Sequence, residues 1–191
     1  MRLKPPDFDA LNEEQRQVYN AVAQGPRGGV RGPLALWLHR PHFAGYAQAL
    51  GGYCRYNTAL EPRLSELAIL VTARAWTSEY EWFAHKTIAV EAGLPPDTVE
   101  AIRRGEDPNF VRDDEAAVHD FSRELHTKRK VGDATYRRAV QILGSDRVVD
   151  LVGLLGYYTL ISMTINVFEI PLPEGEPEQL GPVPDEEQTD G

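Results

Sequence analysis

A chain of 191 residues, 42% of them apolar, is the size of one ordinary domain and can bury a core without disulfides or metals. Its net charge of −9 is unevenly placed: residues 171–191, PLPEGEPEQLGPVPDEEQTDG, hold seven acidic residues and no Lys or Arg, which leaves −2 on residues 1–170. A nearly balanced body has no basic excess with which to neutralise phosphates, and this argues against nucleic acid as a partner.

The same C-terminal stretch carries five prolines and is expected to be disordered or loosely draped, a solubilising tail. Cys54 is the single cysteine, so no internal disulfide is available and a reducing, cytoplasmic setting is expected. The start, MRLKPPDFDA, has no apolar segment of the secretory kind. The longest apolar stretch, 148–170, is interrupted by Asp150, Asn166 and Glu169, which fits a buried or interface helix better than a membrane span.

In chain order, periodicity predicts helices and little else, since no run alternates with a period of two. A first amphipathic helix covers 10–23, with Asn12 as its cap. Residues 24–33, QGPRGGVRGP, read as a flexible connection. Arg27 or Arg31 there could touch a ligand, but the glycines lack the strand–loop–helix setting of a phosphate cradle. LALWLH and PHFAGYAQALGGYCRYN are short helical pieces divided before Pro41. Pro62 suits the first turn of a helix running to about residue 75. A helix over 78–92 stops at Gly93, with Pro95 and Pro96 beyond it. Helices over 97–104, 112–127, 133–143 and 146–167 complete the set. The expectation is an all-α, single-domain bundle of about eight helices over 1–170, followed by the acidic tail at 171–191.

Two central helices carry the candidate chemistry. In TSEYEWFAH, Glu81 precedes His85 by four residues. Ser78 and Glu81 have the spacing of a capping box, which would make the glutamate a helix-end device. Ile88, Ala89 and Ala92 follow His85 at three, four and seven residues, so His85 faces the apolar side, with Glu81 one turn earlier on the same stripe. Glu66 in ELAILVTARAW is followed by Ile69, Leu70 and Ala73 at the same spacings and also looks inward. If the two helices form an antiparallel hairpin, Glu66, ten residues before Trp76, and His85, nine after it, lie level with one another. Two carboxylates and an imidazole in apolar surroundings suit proton transfer, though a satisfied structural cluster has the same pattern.

The segment RLSELAILVTARAWTSEYEWFAHKTIAVEAGLPPDTVEAIRRG resembles the carboxymuconolactone decarboxylase family, which includes alkylhydroperoxidase D. The peroxidase branch of that family carries E-x11-C-x2-C-x3-H, and this chain has Glu66, Ser78, Glu81 and His85 in that register without a gap. GPRGGVRGP, LHRPHFAGYAQALGGY and GYYTLISMTINVF extend the likeness over about residues 10–170. The resemblance implies an alkylhydroperoxidase D-like bundle, a homo-oligomer (trimer or hexamer), a small-molecule substrate and no cofactor. Both motif cysteines are replaced, so the thiol peroxidase reading lacks its thiolate and its resolving thiol. The decarboxylase branch also lacks that pair and keeps a glutamate four before the histidine.

That branch implies His85 as proton donor or enolate stabiliser, with Glu81 and Glu66 tuning it, and general acid–base loss of CO2 or isomerisation of a carboxylated lactone. Tyr80 is a candidate hydrogen-bond donor to the substrate. Arg74 is a candidate for its carboxylate, and His39 and His42, beside Arg40 in LHRPHF, for the pocket mouth. His119 and His126 read as solvated, Trp37, Tyr157 and Tyr158 as core or interface, and Asn166 as reaching the pocket or a neighbouring subunit. A divalent metal on Glu66, Glu81 and His85 is the runner-up chemistry, weakened by the lack of a second histidine at ligand spacing. A helical oligomer that kept the fold without the reaction is the non-enzymatic alternative.

Overall fold

Proline and glycine punctuate the chain. In the computed structural model, which describes residues 1–181, nine helices and no strand occur among the described residues. They are α1 (Glu13–Ala23), α2 (Pro33–Trp37), α3 (Pro41–Tyr56), α4 (Pro62–Ala75), α5 (Glu79–Glu91), α6 (Pro96–Arg104), α7 (Asp113–Lys128), α8 (Asp133–Leu143) and α9 (Ser145–Phe168). The short piece expected at LALWLH is α2, a single turn over Pro33–Trp37. Proline opens α2, α3, α4 and α6, where a missing N–H leaves no bond unmade. Asn12 caps α1 as expected, in a reciprocal pair with Gln15 at 2.9 and 3.0 Å.

The α4 helix is the axis of the fold. Every residue from Arg63 to Arg74 is buried, because α5, α7 and α9 pack around it. Its first turn places Arg63 in the interior, where it donates to Glu115 at 2.5 Å and Asp114 at 2.7 Å on α7. A buried cation without such partners would be costly. The α9 helix is long and apolar enough to cross a membrane by length and composition, but more than half of its most apolar window is buried inside the bundle. Its Asp150 is satisfied there, accepting from Tyr53 at 2.6 Å and from the Ala59 backbone N–H at 2.7 Å. Asn166 donates to the Trp76 carbonyl at 2.7 Å, so it ties α9 to the end of α4 and does not face the pocket.

The two helices α4 and α5 form the predicted hairpin. Thr77, at φ 45°, reverses the chain, and the Ser78 N–H bonds back to the Ala73 carbonyl at 2.8 Å. His119 and His126 are buried, not solvated. His126 packs on α4, its Nε2 3.0 Å from the Thr72 hydroxyl, and burial, then Arg129, pushes its pKa down to about 4, while the His119 ring packs against Phe110 with centroids 5.1 Å apart.

Residues 179–181 lie on the ends of α4, α5 and α6 and are anchored there, while 174–178 are exposed. Glu79 accepts from the backbone N–H groups of Gln179 and Leu180 at 2.8 and 2.7 Å. Arg103 and Arg74 donate to the carbonyls of Gln179 and Gly181, at 2.7 and 2.9 Å, and Leu180 is 3% exposed. The rest of the acidic tail, 182–191, lies outside the described residues.

Candidate active site

The hairpin brings Glu66 on α4 and Glu81 on α5 to opposite edges of one imidazole. His85 Nδ1 is 2.6 Å from Glu66 Oε2, and Nε2 is 3.0 Å from Glu81 Oε1. All three side chains are buried. The capping box does not form: Ser78 makes no side-chain cap bond, its hydroxyl is buried without a partner, and Glu81 turns to His85 instead. Desolvation alone would strip the ring of its second proton. The two carboxylates outweigh it and raise the pKa from 6.5 to about 9, so the ring is an imidazolium at neutral pH and donates on both edges.

A cavity of about 120 Å3 opens beside this cluster. Its wall includes Glu81 and His85 but not Glu66, which holds the ring from behind. The volume is somewhat below that of a cavity that takes up benzene, about 150 Å3. Tyr80, Tyr157 and Tyr158 form aromatic walls, and Arg27, Arg31 and Arg55 supply three cations. Neither Trp37 nor Phe43 fills the space. Tyr80 lines the cavity, its phenol pushed up by burial, with Arg31 opposing that rise and Glu81 adding to it.

The 24–33 loop is therefore a wall of the cavity and not a mere connection. Gly32, at φ 55°, lies so close to the Tyr80 ring that a Cβ there would sit 2.9 Å from it. At the other end, Arg27 Nη2 approaches the Tyr157 hydroxyl at 3.4 Å, and both cross the bare backbone of Gly51. A Cβ on Gly51 would fall 2.1 Å from that hydroxyl and 2.6 Å from the guanidinium.

Three expected substrate contacts do not line this cavity. Arg74 is buried at the other end of α4, bonded to Gly181 and near Glu79 and Arg103. His39 is bonded to the Lys4 carbonyl at 2.8 Å, and His42 sits on the surface 3.7 Å from Glu14. Nothing in residue spacing distinguishes Arg74 from Arg55; their positions in three dimensions do. The signal available for Arg27 and Arg31 was their place between glycines, and for Tyr157 and Tyr158 their polar tips on an apolar helix.

Other chemistries fit less well. Cys54 is buried off the cavity, and burial, then Asp150, pushes its thiol up, away from a reactive thiolate. Both nitrogens of His85 already serve carboxylates, and no group of three or more His, Cys, Asp or Glu among the described residues is arranged to hold a metal. A larger groove of about 480 Å3 lies along α6, but Arg104 and Glu115 there are engaged by Glu106 and Arg63.

The model of the Carboxymuconolactone decarboxylase family matches residues 41–117. No functionally curated protein matches. Solved structures give the fold. An uncharacterized peroxidase-related protein from Silicibacter sp. TM1040 superposes with a TM-score of 0.73 at 12% identity, covering 91% of this chain and 92% of that one. An alkylhydroperoxidase AhpD core protein, uncharacterized and peroxidase-related, from Ralstonia eutropha JMP134 gives 0.73 at 17% identity, with 91% and 92% covered. The debrominase Bmp8 in complex with 2,3,4-tribromopyrrole gives 0.73 at 11% identity over the same shares. At these identities the likeness is one of fold, and the fold is the alkylhydroperoxidase D-like bundle.

Proposed function

We propose that this chain, whose residues 41–117 belong to the Carboxymuconolactone decarboxylase family, is a cofactor-independent decarboxylase or isomerase of a small carboxylated lactone-type substrate. The observation that carries the reading is an imidazolium clamped between two buried carboxylates on the wall of a cavity that also holds three arginines.

The roles follow from position. Arg27, Arg31 and Arg55 attract and orient the substrate carboxylate. Loss of CO2 moves the electrons of the broken C–C bond into the conjugated lactone carbonyl, giving a dienolate. The ring carbon then takes a proton from the His85–Glu81 pair, which is restored from water. In an isomerisation the same pair removes a proton from one carbon and returns it to another. Glu66 keeps the ring oriented and charged. A positioned acid of this kind contributes about 10²- to 10⁴-fold in rate.

The test is turnover of a panel of lactone acids, followed by CO2 release and by deuterium uptake in D2O, for wild type and His85→Ala. His85-dependent turnover or exchange supports the reading; its absence across the panel removes it.

The chain is further read as a homo-oligomer, trimer or hexamer, in a reducing compartment. Phe43, Tyr46, Leu50, Tyr53 and Tyr56 recur at helical spacing along α3 and are exposed, as are Val149, Val152, Met163 and Val167 along the adjacent α9. Light scattering of the purified protein tests this, and a monomer at micromolar concentration refutes it.

A further inference from the structure

Tyr158 is a wall of the cavity with an unused donor. Its ring stands edge-to-face against His85, centroids 5.3 Å apart at 87°, and against Tyr157 at 5.4 Å and 89°. The residue is 2% exposed, and its hydroxyl is shut off from solvent without a hydrogen-bond partner in the protein, so a substrate oxygen meets it only as the cavity wall yields. Buried phenols are normally paired, so an unpaired one beside a proton-transfer cluster calls for a reason. Among the described residues, Ser78, Trp82 and Ser162 also bury an unpartnered polar atom, but none of them lines the cavity.

We propose that Tyr158 is a catalytic residue of this site: its O–H donates to the substrate oxygen on which enolate charge develops, while His85 and Glu81 move the proton. The inference rests on the proton-transfer reading above. No proton leaves the phenol. The electrons released by C–C cleavage collect on the lactone oxygen, the hydrogen bond strengthens as they do, and both relax when the carbon is protonated. The charged groups that act on the phenol are Glu81, Arg55, Glu66 and Arg27. Burial and the two glutamates hold its pKa well above the ordinary value, so it stays a donor. The edge-to-face stack on His85 fixes the ring against the atoms that supply the proton.

Tetronic acid, a lactone that is a stable enolate at neutral pH, is the probe, with acetate as a carboxylate lacking the enolate. Calorimetric titration of wild type and Tyr158→Phe is expected to show tetronate binding weakened about tenfold or more in the variant, with acetate affinity equal. The variant should melt no lower than wild type, since it loses only an unpaired hydroxyl. With a lactone acid as substrate, kcat falls and KM changes little. Equal tetronate affinity in the two proteins, or no tetronate binding by wild type, overturns the proposal. Should the variant fold poorly, the 13Cζ resonance of the wild-type tyrosine replaces it: a shift on adding tetronate supports the proposal, and no shift overturns it. Retention of lactone turnover by His85→Ala would instead break the underlying reading, whatever Tyr158 does.

Discussion

Glu66 and His85, nineteen residues apart, meet at 2.6 Å because a single turn folds α5 back along α4. Glu66 does not reach the cavity, so its work is done through the ring. Glu66→Gln should leave a hydrogen-bonding group in place but remove a charge that raises the imidazole pKa. We expect kcat to fall at least about tenfold and the alkaline limb of the pH–rate profile to move down from about 9. A His85 titration by NMR that stays at the wild-type value would contradict this role.

Stability should share that pH dependence. The His85 pKa is raised on folding, so its contribution is complete below the unfolded value of 6.5 and is lost as pH rises through about 9. The shift corresponds to something on the order of 3 kcal/mol. Urea unfolding at pH 6 and pH 9.5 measures it, and His85→Gln should flatten the difference. An unflattened profile would assign the loss to other groups.

Thr77 is a β-branched residue at φ 45°, a conformation that disfavours it by about 1–2 kcal/mol. Thr77→Gly relieves that strain against an entropy cost of about 0.5–1 kcal/mol. The net expectation is a melting temperature higher by about 1–4 °C, with the Glu66–His85 register kept. A lower melting temperature would mean that the threonine side chain does more for the turn than its backbone costs.

Gly51→Ala tests the arginine wall. The new methyl would meet the Tyr157 hydroxyl and the Arg27 guanidinium well inside contact distance. Overpacking of this kind costs about 1–3 kcal/mol, and the displaced Arg27 should raise KM for carboxylated substrates more than it lowers kcat. Arg27→Ala should raise KM in the same way without the loss of stability. If KM is unaffected in both, Arg27 is not a substrate contact.

The hairpin cluster was legible in the sequence because two local rules agreed: apolar neighbours at three, four and seven residues marked the inward faces, and near-equal distance from one turn marked the pairing. The arginine wall was only partly legible: Arg27 and Arg31 were named as possible ligand contacts in a loop read as a flexible connection, and Arg55 was not named at all. Arg27 and Arg31 reach the cavity only because Gly32 lets the loop lie on Tyr80 and Gly51 lets Arg27 pass, contacts between segments far apart in the chain. His119 and His126 misled for a related reason: charged neighbours in sequence such as Asp120 and Lys128 are exposed, while the two rings are buried against Phe110 and Thr72. Arg74 looked free for a ligand because nothing in an acidic, proline-rich tail announces that Gly181 will come back to it.

That returning segment gives the helix of His85 a built-in reporter. Glu79, which grips Gln179 and Leu180, is in the first turn of α5, two residues before Glu81. A protease that cuts after Glu178 must take up Gln179 and Leu180, so that cut, unlike cuts at the exposed Glu174 and Glu176, tracks how often the anchored segment lets go. Leu180→Asp should speed that cut sharply. Its rate in the wild-type protein, with and without a bound anion, would then measure how tightly the start of α5 is held, from a bond remote from the chemistry and without any substrate being known.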